Sequence, residues 1–166
     1  PWVLTAIGLD RKGIETRTFP AGDEESVRSW LEAQGAERNI YFHVNPVIKS
    51  VAKKATREDI RGLAWLHVDI DPRVGEDIDE EQERALGLLQ EPPGDLPPPT
   101  CIVFSGGGYQ GFWKLNEELP INGQPEAYED AKHYNLQLEI LFSADNCHNV
   151  DRIMRLPGTV NRPDKK

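Results

Sequence analysis

The sequence predicts an α+β fold, and three observations carry that reading. Residues 63–156 read strand, helix, strand, strand, helix, strand. The helical stretches carry apolar side chains three and four apart, and the short runs between them are rich in β-branched and aromatic residues. The third is size: 166 residues with 38% hydrophobic and 28% charged side chains suit one core of ordinary globular composition. The β-α-β-β-α-β order is that of a ferredoxin-like, or RRM-like, palm. In such a palm the first and last strands are neighbours on one sheet. We expect a single domain over 1–166, with a small N-terminal α/β lobe at 1–62 packed on a palm at 63–166.

The elements are justified in turn. Asp23 is a suitable N-cap, and Val27, Trp30 and Leu31 mark a helix over about 24–35 that ends near Gly35. Residues 39–44 are β-rich and stop at Asn45-Pro46, a strand and its turn. Thr56 with Asp59 three residues on resembles a capping box and opens a short helix. Residues 63–71 form a strand broken by Pro72, and Ile78, Ala85, Leu86 and Leu89 give a helix over about 78–90 with an acidic outer face. Five prolines in 91–99 make a stiff connector. Strands follow at 100–104 and 111–115 around a glycine turn. Pro125 opens a helix reaching about 142, and 150–156 is a last short strand.

The net charge of −9 argues at first against a protein that handles phosphate, but the charges are not spread evenly. Residues 49–61 hold five basic and two acidic side chains, and so do residues 147–166. The acidic surplus lies between them, much of it in 76–95, which is expected to face solvent. Two cysteines without metal-site spacing fit a reducing, cytoplasmic setting, and no apolar run nears the roughly 18 residues of a membrane helix. The start at Pro1 and the basic end at Lys165 and Lys166 lead us to expect a piece of a longer polypeptide.

Three features carry chemistry. Asp69 and Asp71 are two apart on a strand, so their carboxylates share a face and repel unless a cation lies between them. Hard ions such as Mg²⁺ or Mn²⁺ suit that pair, and Asp151, on the strand expected alongside, is the candidate third carboxylate. The EF-hand pattern is absent, which excludes a calcium loop of that type. The second feature is Ser105-Gly-Gly-Gly-Tyr-Gln-Gly-Phe-Trp113. Gly107, Gly108 and their neighbours exceed what a tight turn needs and allow close backbone approach, with amides free for phosphate and with Tyr109 and Gln110 as stacking surface and donor. The third is the run from Asp151 to Arg162, in which Arg152 and Arg155 offer planar forks to phosphate beside a Pro157-Gly158 turn.

These three stretches, His-Val-Asp69-Ile-Asp71-Pro, Ser-Gly-Gly-Gly-Tyr-Gln-Gly-Phe-Trp and Val-Asp151-Arg-Ile-Met-Arg-Leu-Pro-Gly-Thr-Val-Asn161, resemble the motifs of the archaeo-eukaryotic primase (AEP) superfamily. The likeness is strongest to the primase-polymerases of plasmids, phages and mobile elements. It implies the AEP prim-pol fold, a template-directed nucleotidyltransferase using two Mg²⁺ or Mn²⁺ ions, and the partners DNA template, primer and dNTP or NTP. A helicase domain or partner in the full-length protein is also implied. Asp69, Asp71 and Asp151 take the metal positions. Many members carry a histidine where Gln110 stands. Ser105, Gly107, Gly108, Tyr109, Arg152, Arg155, Asn161, Lys165 and Asn45 take nucleotide-contacting places, and Lys49, Lys53, Lys54 and Arg57 face template.

Other residues carry plainer expectations. His43 and His67 alternate with apolar neighbours and read as core histidines, and Cys147-His148 lacks further ligands for zinc. Trp2, Trp30 and Trp65 read as core. Two other functions compete: a non-catalytic RRM-like module that stacks single-stranded bases on Tyr41, Phe104 and Trp113, and a sugar-nucleotide transferase using Asp-x-Asp.

Overall fold

The computed structural model describes residues 1–10 and 13–162, so Lys165 lies outside the described residues. Its elements are β1 (Trp2–Gly8), β2 (Glu15–Phe19), α1 (Glu24–Gln34), β3 (Arg38–His43), β4 (Gly62–Ile70), α2 (Ile78–Gln90), β5 (Cys101–Phe104), β6 (Tyr109–Pro120), α3 (Pro125–Phe142) and β7 (Ile153–Arg155). They form two antiparallel sheets, ordered β2-β1-β3-β7 and β4-β6-β5. The class is α+β, as expected.

The expected neighbourhood of the first and last palm strands does not form. β7 pairs with β3, with Tyr41 opposite Arg155 and Phe42 opposite Met154. The free edge of β4 is satisfied by other groups: Asn135 on α3 accepts from the His67 amide, and the Asp145 amide donates to the Asp69 carbonyl. With that edge occupied, β7 satisfies the open edge of β3 and drops Met154, 1% exposed, into a seam with Val44, Val103 and Phe112 between the sheets.

Strands β1 and β2 have no counterpart among the expected elements. β1 is buried on both faces, Leu4 and Ala6 against Phe19, Trp30 and Ile40, and Val3 against Val47, Leu63 and Val150. Its apolar run therefore shows no period of two. Its one buried hydroxyl, Thr5, is met by Thr16 of β2 at 2.9 Å. Helices α2 and α3 cover the second sheet, packing Ala85, Leu89, Leu138 and Phe142 on Val68, Ile70 and Trp113.

Local sequence accounts for the helix ends. Asp23 accepts from the Ser26 amide and Asp77 from the amides of Asp79 and Glu80, each satisfying donors at a helix start. Thr56 and Asp59 form the reciprocal capping box over a single 3₁₀ turn, Arg57–Asp59. Two expectations are corrected. Trp2 is 44% exposed at the rim of β1 rather than core, and Trp65 is half-buried. The acidic helix does not turn all its charge outward: Glu81 is buried and paired with both Arg73 and Arg84, tying the 71–77 loop to α2.

His43 and His67 are core histidines, and burial holds both near pKa 4, below the usual 6.5. His67 is fully enclosed, with Nε2 on the Cys147 carbonyl at 2.8 Å. Between pH 6.5 and 4 the unfolded chain binds protons at these positions and the folded chain does not. Stability is therefore lost as pH falls through that window, by up to about 3 kcal/mol per histidine. Urea unfolding of the Asp69→Asn variant, which removes the main opposing titration, is expected to show the loss. A free energy unchanged between pH 6.5 and 4.5 contradicts it.

Candidate active site

Val68 and Ile70 point into the helix-covered core, so the period of two along β4 turns Asp69 and Asp71 toward the other sheet. There they line an open cleft of about 200 Å³ with Tyr41, Ser105, Gln110, Arg152, Arg155 and Asn161. The two sheets contribute opposite walls: acids from β4, and arginines from β7 and the residue before it.

Burial and neighbouring carboxylates disfavour the ionised form of both acids. Asp69 is pushed up to about 6, by burial first and by the Asp71 charge second, against the Gln110 amide and Arg152, which favour its ionised form. One of its oxygens, Oδ1, is buried without a hydrogen-bond partner. Asp71 is also raised, by burial and by Asp145, with Arg155 and Arg152 opposing. Two same-face carboxylates, one of them with an unsatisfied buried oxygen, fit a hard divalent cation that takes its remaining ligands from water or substrate phosphate. Among the described residues no set of three His, Cys, Asp or Glu side chains is arranged to hold a metal ion.

Gln110 lies opposite Asp69 in the β4–β6 register and is 2% exposed, its Oε1 also buried without a partner. Arg155 stacks on the Tyr41 ring, 4.6 Å from its centroid, and its buried NH1 is unpartnered. The cleft thus holds unmet donors on one wall and unmet acceptors on the other.

The glycine turn is used first by the protein itself. A Cβ on Gly108 would lie 2.1 Å from the Ile70 carbonyl oxygen, so this residue lets β6 start hard against the end of β4. Gly106 has φ +99°, and a Cβ there would meet Asn161 at 2.7 Å. Asn161 in turn donates to the Ser105 carbonyl at 2.8 Å and joins the turn to the segment after β7. Gly107 is open on its Cα side, with its carbonyl accepting from Gln82. Ser105 closes the turn through its hydroxyl and amide to Gly108. Tyr109 packs on Phe104 and the α2–α3 core rather than lining the cleft.

Asp151 is not brought to the acid pair. Its carboxylate accepts from the Tyr128 hydroxyl at 2.5 Å and pairs with Lys54 at 3.3 Å, away from the cleft. β7 pairs with β3 and not with β4, and Asp151, two residues before β7, is held by Tyr128 and Lys54 while Arg152 faces the cleft. The acid whose charge Asp69 and Asp71 do feel is Asp145, missed by the sequence reading. Its Oδ2 accepts from the Asp71 amide and its own amide donates to the Asp69 carbonyl, both at 2.9 Å. The available signal was an acid three residues past the end of α3, in the loop leading back to the site.

Asn45 also stands apart from the cleft. The β4–β6 register slips between Leu63 and Trp65, and Asn45 Oδ1 accepts from the unpaired amides of Ala64 and Trp65, each at 2.9 Å. Its Nδ2 donates to the carbonyls of Trp65 and Val150. Asn45→Ala orphans those groups and is expected to cost about 3 kcal/mol, roughly 10 °C in melting temperature, with nucleotide KM unchanged. A raised KM without lost stability contradicts this. Lys49, Lys53, Lys54 and Arg57 are all exposed on the 49–61 segment, Lys54 paired with Asp151 and Arg57 with its neighbour Glu58. Of the aromatics suited to base stacking, Tyr41 lies under Arg155 and Trp113 is buried with Nε1 on the Pro97 carbonyl; Phe104 is exposed.

Two antiparallel sheets thus face across an acid-lined cleft, with a glycine turn on one wall and an arginine-bearing strand on the other. The chain has the fold of the AEP domain of the primase-polymerase (PrimPol) of cyanophage S-2L, with a TM-score of 0.61 at 16% identity. The match covers 93% of this chain and 71% of that one. No protein-family model and no curated protein matches the sequence.

Proposed function

We propose that this chain is the catalytic domain of a primase-polymerase, a template-directed nucleotidyltransferase acting in replication of a plasmid, phage or mobile element. The observation that carries it is the pair Asp69 and Asp71, one with an unsatisfied buried oxygen, facing two arginines across a cleft. Mg²⁺ or Mn²⁺ held by that pair would stabilise the attacking and leaving oxygens of an in-line phosphoryl transfer. Asp145 adds negative charge beside them.

The protein's own groups do the rest. Arg152 and Arg155 bind the triphosphate of a dNTP or NTP and favour the charge that develops toward pyrophosphate. Tyr41 holds the Arg155 guanidinium in plane. Gln110 keeps Asp69 oriented, and Ser105 with Asn161 fixes the floor on which the nucleotide lies. Lys49, Lys53 and Arg57 meet the template backbone, and the primer supplies the 3′-hydroxyl. A helicase domain or partner and a cytoplasmic location complete the proposal. The net charge of −9 makes template binding by this domain weak and salt-sensitive.

Extension of a labelled primer on a DNA template with Mn²⁺ or Mg²⁺ tests this. Asp71→Ala is expected to abolish extension while the domain stays folded. Full activity in that variant contradicts the assignment. No extension with any nucleotide or metal, together with single-strand binding indifferent to chelator, favours the non-catalytic module instead.

A further inference from the structure

We propose that Glu139 is a positioning residue for the site: from α3 it fixes the 143–150 loop and so sets Asp145 against Asp69 and Asp71. The inference rests on the metal-binding reading of that pair. Helix α3 ends at Phe142, and Ser143 takes a left-handed conformation, φ 49°, that turns the chain back toward β4. The loop beyond it carries Asp145 at one end and the arginine-bearing β7 at the other.

Two sets of bonds hold this loop. At its near end Asp145 bonds the backbone on either side of Ile70, through the Asp69 carbonyl and the Asp71 amide. At its far end Glu139 Oε2 accepts from the Cys147 amide at 3.0 Å and from His148 Nδ1 at 2.8 Å. Beneath these, His67 donates to the Cys147 carbonyl, and Asn135 joins the His67 amide to the His148 carbonyl. Glu139 is the charged member of the far-end set, so its two bonds are the strong ones. A single carboxylate one helical turn before the end of α3 thus links the helix to the loop that faces the acids. Without it, the Cys147 amide and the His148 ring lose their acceptor. Asp145 then keeps only its own bonds to β4, and its carboxylate is free to leave the Asp71 amide.

Partners one step removed from a metal commonly change affinity 10- to 100-fold when lost; Glu139 acts further out, through the loop and Asp145, and Glu139→Ala is expected to weaken Mn²⁺ binding about tenfold, the low end of that range, read by the electron paramagnetic resonance of free Mn²⁺ in a titration of the protein. Glu139→Gln keeps an acceptor oxygen for the loop and is expected to stay within about twofold of wild type. Leu138→Ala, in the core against Trp113 and Phe142, reports what destabilisation of the same helix does alone, and Mn²⁺ affinity there should be unchanged. Wild-type affinity in Glu139→Ala, or an equal loss in Leu138→Ala, overturns the positioning role. Asp69→Asn separates the two layers. If it loses Mn²⁺ binding while Glu139→Ala does not, only the positioning role fails. If it binds Mn²⁺ as wild type does, the metal reading fails with it.

Discussion

Asp69→Asn is expected to make the metal-free protein more stable at pH 7 while cutting nucleotide incorporation about a thousandfold. The folded state raises this carboxyl from 3.8 to about 6, chiefly by burial and by the Asp71 charge. A carboxyl raised on folding destabilises the native state at every pH above its folded value, and the cost is relieved as pH falls through 6 toward 3.8. At pH 7 the relief from a neutral amide is about 3 kcal/mol at most, or several degrees in melting temperature for a domain of this size. The catalytic loss follows from the proposed role of Asp69 as a metal ligand, which would be worth several kcal/mol of charge stabilisation. Thermal melts at pH 7 and pH 4 check the first half: the variant's advantage should be clear at pH 7 and largely gone at pH 4. Mg²⁺ or Mn²⁺ should stabilise the wild type more than the variant. A variant less stable than wild type at pH 7 contradicts the account of the acid pair.

Gly108→Ala is the second large effect, and Gly107→Ala is its control. The added methyl at Gly108 would sit 2.1 Å from the Ile70 carbonyl oxygen and 2.9 Å from the Asp71 Cα, both backbone atoms that no side-chain rotation can move away. Either β6 or the end of β4 must shift, at a cost of 1–3 kcal/mol or more, and the shift falls on the segment bearing Asp71. At Gly107 the same methyl meets nothing within 4 Å. Activity is expected to fall at least about a hundredfold in the first variant, in line with an ångström-scale misplacement of a reacting group, and to stay within a few-fold in the second. Equal effects at the two positions contradict this. An equal loss would mean that the turn meets its ligand through Gly107, and equal tolerance that the β4–β6 contact yields.

The sequence made the helices legible because their signals are local. Pro125 at the start and the apolar stripe through Leu138 define α3 over Pro125–Phe142, and Thr56 with Asp59 forms the capping box of the 3₁₀ turn Arg57–Asp59. The acid pair was legible for the same reason, since the period of two along β4 depends only on Val68 and Ile70 being buried. What depends on distant partners was not. β1 lies between two cores and shows no alternation. The partner of β7 is decided by which edges remain open, and Asn135 and Asp145 had already filled that of β4. Asp151 stands outside the cleft, while Asp145, in the same loop, bonds the backbone of Asp69 and Asp71. The extra glycines predict close backbone approach to a ligand, whereas Gly108 and Gly106 approach the end of β4 and Asn161, a partnership that no spacing announces.

The charge balance is sharpened in the same way. Glu81 is consumed by Arg73 and Arg84, and Lys54 by Asp151, so neither contributes freely to the field at the cleft. What remains there is local: acids on β4, arginines at β7, and the exposed Lys49, Lys53 and Arg57 beyond. That local field, rather than the total of −9, is what the proposed triphosphate and template would meet.

The most direct measurement is anomalous diffraction from crystals grown with Mn²⁺ and a non-hydrolysable deoxynucleoside triphosphate. The account predicts a manganese peak in the cleft bridging the Asp69 and Asp71 carboxylates, with the triphosphate between it and Arg155. Manganese bound instead at Asp151, or a cleft without manganese when both ligands saturate the protein, would contradict it.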